Sequence, residues 1–274
     1  MACSHPINIR LFGRLRASIV IALLAVFASS CVSSHTRTLV PAGTAEPDKF
    51  LFDRGQTALD SKKWLTAREF YKQLVETYTQ SPYRPDAKLA IGDTYLGEGG
   101  SANLVLGINE FQEFLQFYPT NPRADYAQYK MGLAHFRQMR AAERDQTETR
   151  AAIKDFQTFV DKYPNSRLLP EVKEKLREAR DRVDTADYNI GYYYFRVKWY
   201  PGSIDRFKAL LKQDPEFTKR DAVYFYLGEA LIKVKKQAEA LPYYDKLVQE
   251  FEKSEFLPEA QKRIAELRAQ MASK

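Results

Sequence analysis

The chain has 274 residues, with 42 Lys+Arg against 35 Asp+Glu, three His and two Cys. This length accommodates one or two domains with a sizeable core, and 13% aromatic residues argue against disorder as the main state. Two cysteines exclude a disulfide scaffold or a cysteine-rich zinc module, and three histidines leave little for a histidine-based metal or catalytic centre. The net charge of +7 raises nucleic acid or an anionic membrane as partners until the charge is located along the chain.

Residues 1–30 carry Arg10, Arg14 and Arg16 and no acid, and the apolar stretch Ile19 to Ala28 precedes Ser29-Ser30-Cys31. A basic start, an apolar stretch and small residues make a secretory signal. At about 1.5 Å per residue the apolar stretch covers roughly 15 Å, half a bilayer core, which is too short for a permanent transmembrane helix. Small residues directly before a cysteine resemble the bacterial lipobox, although Ala28 stands where Leu is usual. The alternative is an ordinary signal cut near Ala28-Ser29-Ser30 that leaves Cys31 free. By resemblance to lipobox signals, Cys31 becomes the first mature residue, carrying an N-palmitoyl chain and an S-diacylglycerol, which together anchor firmly. Val32, which is not Asp, favours the outer membrane by resemblance to enteric sorting rules. Cys3 is lost with the signal, so no internal disulfide forms. The three signal arginines account for part of the positive excess, which falls to four in residues 31–274. Residues 31–47 then read as a lipidated N-terminus and flexible tether.

A repeat fills the rest of the chain. A glycine is followed twelve residues later by a small residue and, four further on, by an aromatic one: Gly55, Ala67, Tyr71; Gly191, Ser203, Phe207; and Gly228, Ala240, Tyr244. Gly92, Gly107, Phe111 and Gly132, Ala152, Phe156 repeat it with turns three and eight residues longer. This spacing is that of the tetratricopeptide repeat, a helical hairpin in which small residues allow close approach, an aromatic ring plugs the gap and Pro ends the second helix. Five hairpins are predicted.

Between the third and fourth hairpins, Pro170 can open a helix. Val172, Leu176, Ala179, Val183, Ala186, Ile190, Tyr193 and Val197 follow as one helical stripe, roughly 40 Å long, ended by Trp199-Tyr-Pro-Gly202. Leu257-Pro-Glu-Ala parallels Leu169-Pro-Glu-Val, and 258–271 reads as the capping helix a solenoid needs. The expected fold is therefore all-α, a tetratricopeptide-like α-solenoid of five helical hairpins with a C-terminal capping helix. Its N-terminal arm spans 48–169 with repeats one to three. The C-terminal arm spans 170–274, with the long helix, repeats four and five and the cap.

No phosphate-binding loop, dinucleotide fingerprint or nucleophile elbow occurs, so no catalytic residue, cofactor or metal site is expected and the protein is read as a non-enzyme. His135 occupies an inter-helix slot and reads as a packed structural residue. The basic residues interleave with acids, as in Lys173 to Arg182, and the secretory signal removes the chain from nucleic acid. The partner-binding candidates lie on the first helix of each hairpin. Repeat offsets place Phe52, Tyr126, Tyr129, Phe136, Tyr188, Tyr192, Phe195 and Phe225 there, with Arg137, Arg196 and Lys233. Aromatics with interspersed arginine anchor protein interfaces, here for an extended polypeptide; the alternative for any one of them is inter-repeat core.

At Tyr118 to Leu133 the chain resembles the BamD (ComL/YfiO) family, through Pro119, Thr120, Pro122, Asp125, Tyr126, Tyr129, Gly132 and Leu133. Arg144-Asp145 in the following long turn, Tyr163-Pro-Asn-Ser166 and the layout of lipobox, tether, five hairpins and cap extend the resemblance. It implies an outer-membrane lipoprotein facing the periplasm, a subunit of the β-barrel assembly machinery. Its N-terminal arm would engage nascent outer-membrane proteins. The C-terminal arm would dock on the POTRA domains of the barrel subunit, with other assembly lipoproteins nearby. Arg206 matches the family's basic docking residue in the second helix of the fourth hairpin. The runner-up is another periplasmic lipoprotein of the same fold, a Tol–Pal-type factor or a pilotin-like chaperone.

Overall fold

The computed structural model describes residues 39–272. The signal segment 1–30, Cys31 and the start of the tether lie outside the described residues. Ala45–Lys274 forms one compact unit. Among the described residues there are eleven α-helices and no strand. They are α1 (Pro47–Asp60), α2 (Trp64–Thr77), α3 (Arg84–Glu98), α4 (Ser101–Phe117), α5 (Ala124–Phe136) and α6 (Thr147–Lys162), followed by α7 (Leu169–Arg196), α8 (Tyr200–Gln213), α9 (Arg220–Lys233), α10 (Gln237–Glu250) and α11 (Leu257–Ala272). Consecutive helices pack against each other, so the five predicted hairpins are α1/α2, α3/α4, α5/α6, α7/α8 and α9/α10, with α11 against α10. None of the described helices is long and apolar enough to cross a membrane.

The repeat spacing acts as expected. A Cβ added to Gly55, Gly92, Gly132, Gly191 or Gly228 would fall 2.5–2.7 Å from the ring of Tyr71, Phe111, Phe156, Phe207 or Tyr244 respectively. Those five rings are fully buried. Real Cβ contacts do not occur at such distances, so each hairpin closes only because its first helix lacks a side chain at the crossing. Proline in the first turn fits the starts of α1, α3, α7 and α8, where the lost N–H has no intrahelical partner. In hairpins one, four and five the turn between helices passes through a lysine in the left-handed region: Lys62, Lys198 and Lys235, with φ 56°, 63° and 61°. Hairpin two turns instead on Gly99 and Gly100, at φ 75° and 81°, where glycine carries no steric penalty.

A second contact, invisible to hydrophobic pattern, closes the opposite end of three hairpins. Ser81 donates to Asp48, Ser166 to Asp125 and Ser254 to Asp221, at 2.6–2.7 Å. Each serine oxygen also accepts the backbone N–H two residues on, which fixes the turn into the next helix.

The long helix runs from Leu169 to Arg196, ending one residue before the expected Val197; Tyr200-Pro-Gly202 opens α8 rather than terminating α7. Its apolar stripe does not stay on one partner. Val172, Leu176, Ala179 and Val183 are buried, whereas Ile190, Tyr193 and Val197 are exposed. The crossing glycine lies eight residues after the first residue of α1, α3, α5 and α9, but 22 after the start of α7. The first half of α7 therefore packs on hairpin three, around Phe156 and Phe159. Its second half, carrying Tyr188, Tyr192 and Phe195, joins the core of hairpins four and five.

A charged seam separates these two apolar clusters. The second helix of the other hairpins ends on an aromatic residue, Tyr78, Tyr118, Tyr163 or Phe251; α8 ends on Asp214. Arg177 on α7 donates to Asp181 at 2.9 Å, to Asp184 at 3.3 Å and, in a short contact, to Asp214. Asp184 is only 3% exposed.

Candidate partner-binding surface

The motif run on α5 makes this helix the junction of the first three hairpins. Tyr126 donates its hydroxyl to Asp93 on α3 at 2.8 Å, and Lys130 pairs with the same carboxylate at 3.0 Å. Arg123 and Lys130 lie 4.9 and 5.0 Å from the centre of the half-buried Tyr126 ring, two cation–π contacts. Burial first, then the Asp93 charge, pushes the Tyr126 hydroxyl well above its usual pKa, so it acts only as a donor. Tyr129 reaches the other way, donating to Glu171 on α7 at 2.6 Å. It is 7% exposed, so it positions the two helices and presents little ring to a partner. Asp125 receives Ser166, which joins the two stretches that carried the family resemblance at one contact.

Phe136 is half-buried against Phe156, ring centres 6.0 Å apart, with Lys175 5.2 Å from its centre. Arg137 is exposed and caps α3 by donating to the Leu96 carbonyl at 3.0 Å. These two therefore sit beside the α3 terminus and α7, with the Arg137 guanidinium still reachable from solvent. His135 is hydrogen-bonded through Nδ1 to Glu148 at 2.7 Å, and its Nε2 lies 3.6 Å from Asp155, a bridge within hairpin three.

In the second half of the unit the aromatics are continuous. Tyr188 and Tyr192 stack at 5.9 Å with planes 6° apart, and Tyr192 meets Tyr226 on α9 at 4.7 Å. Phe195 meets Tyr226 at 5.2 Å, and Phe225 stacks on Phe256 at 4.8 Å. Burial, then neighbouring hydroxyls, raises the pKa of Tyr188 and pushes that of Tyr226 up to about 12. Tyr188 and Tyr192 are half-buried. Phe52 in hairpin one stacks on Tyr83 at 5.2 Å. Arg196 and Lys233 are exposed at the ends of α7 and α9. Arg206 is exposed on α8 and makes no hydrogen bond or ion pair with the described residues.

The structure thus places the candidates in two groups, Tyr126, Tyr129, Phe136 and Arg137 around α5, and Tyr188 and Tyr192 on α7, with Arg206 apart on α8. Repeat offsets did not find three polar clusters that hold these groups. One is Arg68, 3.7 Å over the Tyr95 ring, bonded to Thr94 at 3.0 Å and paired with Glu98. The second is buried Glu229, which accepts from Tyr244 at 2.7 Å and from Arg263 of the cap at 2.6 Å. The third is the Arg177 seam. The substitution of Asp214 for an aromatic residue was the one sequence signal for it.

Stacked helical hairpins closed by a glycine and an aromatic ring define a protein of the tetratricopeptide class, and residues 222–254 match a tetratricopeptide repeat profile. Residues 44–237 match the YfiO profile, described as outer membrane lipoprotein, and the chain belongs to that family. A relative named outer membrane protein assembly factor BamD, from Caulobacter vibrioides, is 26% identical over 85% of this chain and 75% of its own. The protein of that name from Xylella fastidiosa strain Temecula1 is 26% identical over 76% and 74%, and that from Vibrio cholerae 27% over 62% and 73%. Among solved structures, the TPR2AB domain of yeast Sti1 aligns over 82% of this chain and 84% of that one, at 13% identity and a TM-score of 0.44.

Proposed function

We propose that the chain is an outer-membrane protein assembly factor: a lipid-anchored, non-catalytic adaptor facing the periplasm. What carries this reading is the family match over residues 44–237, together with relatives named as assembly factors across most of both chains. In it, the N-terminal arm (48–169) receives nascent outer-membrane proteins along Tyr126, Phe136 and Arg137, with Tyr129 positioning α5 on α7. The C-terminal arm (170–274), through Tyr188, Tyr192 and Arg206, docks on the POTRA domains of a BamA-like barrel subunit beside other assembly lipoproteins. An exposed guanidinium without an internal partner is available for a charge-assisted contact across an interface. Recovery of a POTRA-bearing barrel protein with the tagged chain from solubilised envelopes is expected; its absence refutes the assembly role.

Two substitutions test the parts. Arg206→Glu should weaken binding to the barrel subunit by about tenfold or more through charge reversal at the contact, while its thermal unfolding midpoint stays at the wild-type value. Equal affinity in a surface-binding assay removes Arg206 from the interface. Cys31→Ala should shift the protein from the membrane pellet to the soluble periplasm after a high-salt wash, because loss of the acyl chains removes firm attachment. Retention in the washed pellet refutes anchoring at Cys31.

A further inference from the structure

We propose that the tips of hairpins four and five form a phospholipid-contacting surface: Tyr193, Val197 and Trp199 enter the headgroup region of an anionic bilayer while Arg196, Lys198 and Lys235 lie on its phosphates. The proposal uses the family's place at the outer membrane and is independent of the client and barrel-subunit roles given above.

Four of the nine large apolar side chains exposed among the described residues cluster here: Ile190 at 38%, Tyr193 at 61%, Val197 at 52% and Trp199 at 54%. Their exposure has a structural cause. The long α5–α6 loop covers α7 only as far as Asn189, through Arg182 donating to the Arg140 carbonyl at 3.0 Å and Asn189 donating to Glu143 at 3.1 Å. The apolar stripe continues past that point with no hairpin over it.

The two turn segments themselves carry only basic charged residues. No acid occurs between Tyr188 and Ile204, where Arg196 and Lys198 are the charged residues. None occurs between Ala230 and Ala238, which hold Lys233, Lys235 and Lys236. Only Lys236 is neutralised locally, by Glu239 at 3.0 Å. Both turns follow the first helix of adjacent antiparallel hairpins, so they lie on the same edge of the unit. Each is brought round by a lysine in the left-handed conformation, Lys198 and Lys235.

Trp199 is held rather than loose. Its ring packs so closely over Gly202 that a Cβ there would lie 2.6 Å away, and it meets the Tyr194 ring edge-on at 4.5 Å. A fixed, half-exposed Trp beside Tyr, an aliphatic residue and lysines is the composition that partitions to a membrane interface. The amphipathic rings sit at headgroup depth and the long cationic side chains reach the phosphates. A protein interface with acidic residues would match the charge as well, but a bilayer also explains why the aromatic and basic residues share one edge.

The chain has two tryptophans, Trp64 and Trp199, so Trp64→Phe leaves Trp199 as the sole reporter. This variant, purified from bacterial membranes, is mixed with phosphatidylethanolamine–phosphatidylglycerol vesicles and floated. On lipids with brominated acyl chains, Trp199 emission in the floated fraction should fall about twofold relative to unbrominated lipids, because bromine quenches at short range and an indole seated at headgroup depth lies within its reach. Adding Arg196→Glu and Lys198→Glu should abolish the quenching while circular dichroism stays unchanged. Floated protein with equal emission on both lipids overturns the proposal, as does protein that fails to float. Quenching that survives charge reversal overturns the role of the two cations.

Discussion

Replacing Arg177 with methionine should lower the free energy of unfolding by about 3–5 kcal/mol at pH 7.5, the usual cost of removing one partner from a buried ion pair. Among the described residues, Arg177 is the only cation that bonds Asp181, Asp184 and Asp214, the carboxylates where α7 meets the end of α8. Without it, the buried Asp214 carboxylate would stand beside Asp181 with no cation. At pH 5 the loss should be smaller, because carboxylates without their cation take up protons. Urea unfolding at both pH values measures this, and an equal loss at each would show that Arg177 acts through packing alone.

The same cluster sets the pH dependence of the wild type. Burial, then the bond and charge of Asp214, raises Asp184 to about 8 despite Arg177. Asp214 is held at about 2, because its bonds from Arg177 and Asp184 outweigh its own burial. The raised Asp184 contributes stability that is fully present below its unfolded value near 3.8 and lost as pH rises through about 8. Asp214 contributes stability above its unfolded value of 3.8, lost as pH falls through about 2. Between roughly pH 4 and 8, Asp184 therefore costs stability by up to about 1.4 kcal/mol per pH unit. Asp184→Asn keeps a donor toward Asp214 and removes this titration, so its advantage over wild type should grow from pH 5 to pH 8. Parallel stability profiles for the two proteins would show that Asp184 does not titrate in that window.

Gly132→Ala should cost about 2–3 kcal/mol, the upper range for overpacking a closed core. The added Cβ would meet the Phe156 ring at 2.5 Å, and that ring is fully buried with Phe136 on one side and α7 beyond. The ring cannot move aside without opening hairpin three. Phe156→Leu in the same chain should recover at least half of the loss, and a thermodynamic cycle over the two sites should give a coupling above about 1 kcal/mol. Additive effects would mean that Gly132 is required for backbone reasons rather than for the crossing. The position matters beyond stability because α5 carries Tyr126, Tyr129 and Phe136 on the same helix.

The hairpins were legible because their signal is short-range. Gly132 and Phe156 are read from one repeat, and the same spacing recurs at Gly191 with Phe207 and Gly228 with Tyr244. The cap was legible because Leu257-Pro-Glu-Ala repeats Leu169-Pro-Glu-Val. The α7 stripe was legible as a helix but not as a surface. Periodicity states that Ile190 and Val183 share a face; it does not state that hairpin three ends between them. The serine–aspartate clamps and the Glu229–Tyr244–Arg263 cluster were not legible, because polar partners 15 to 41 residues apart leave no hydrophobic period in the sequence.

By itself the sequence determined where the chain turns, which helices pair and which aromatic fills each crossing. These follow from local sterics, in which glycine, alanine and proline have few alternatives. Only the tertiary structure decided which cations face which carboxylates and which aromatics remain reachable. It decided, too, that the second half of α7 changes partner and leaves Tyr193, Val197 and Trp199 uncovered. Those outcomes depend on how far the α5–α6 loop extends along α7 and on Asp214 standing where the other hairpins carry an aromatic residue. A side chain's exposure is set by the elements packed over it, and these come from distant parts of the chain.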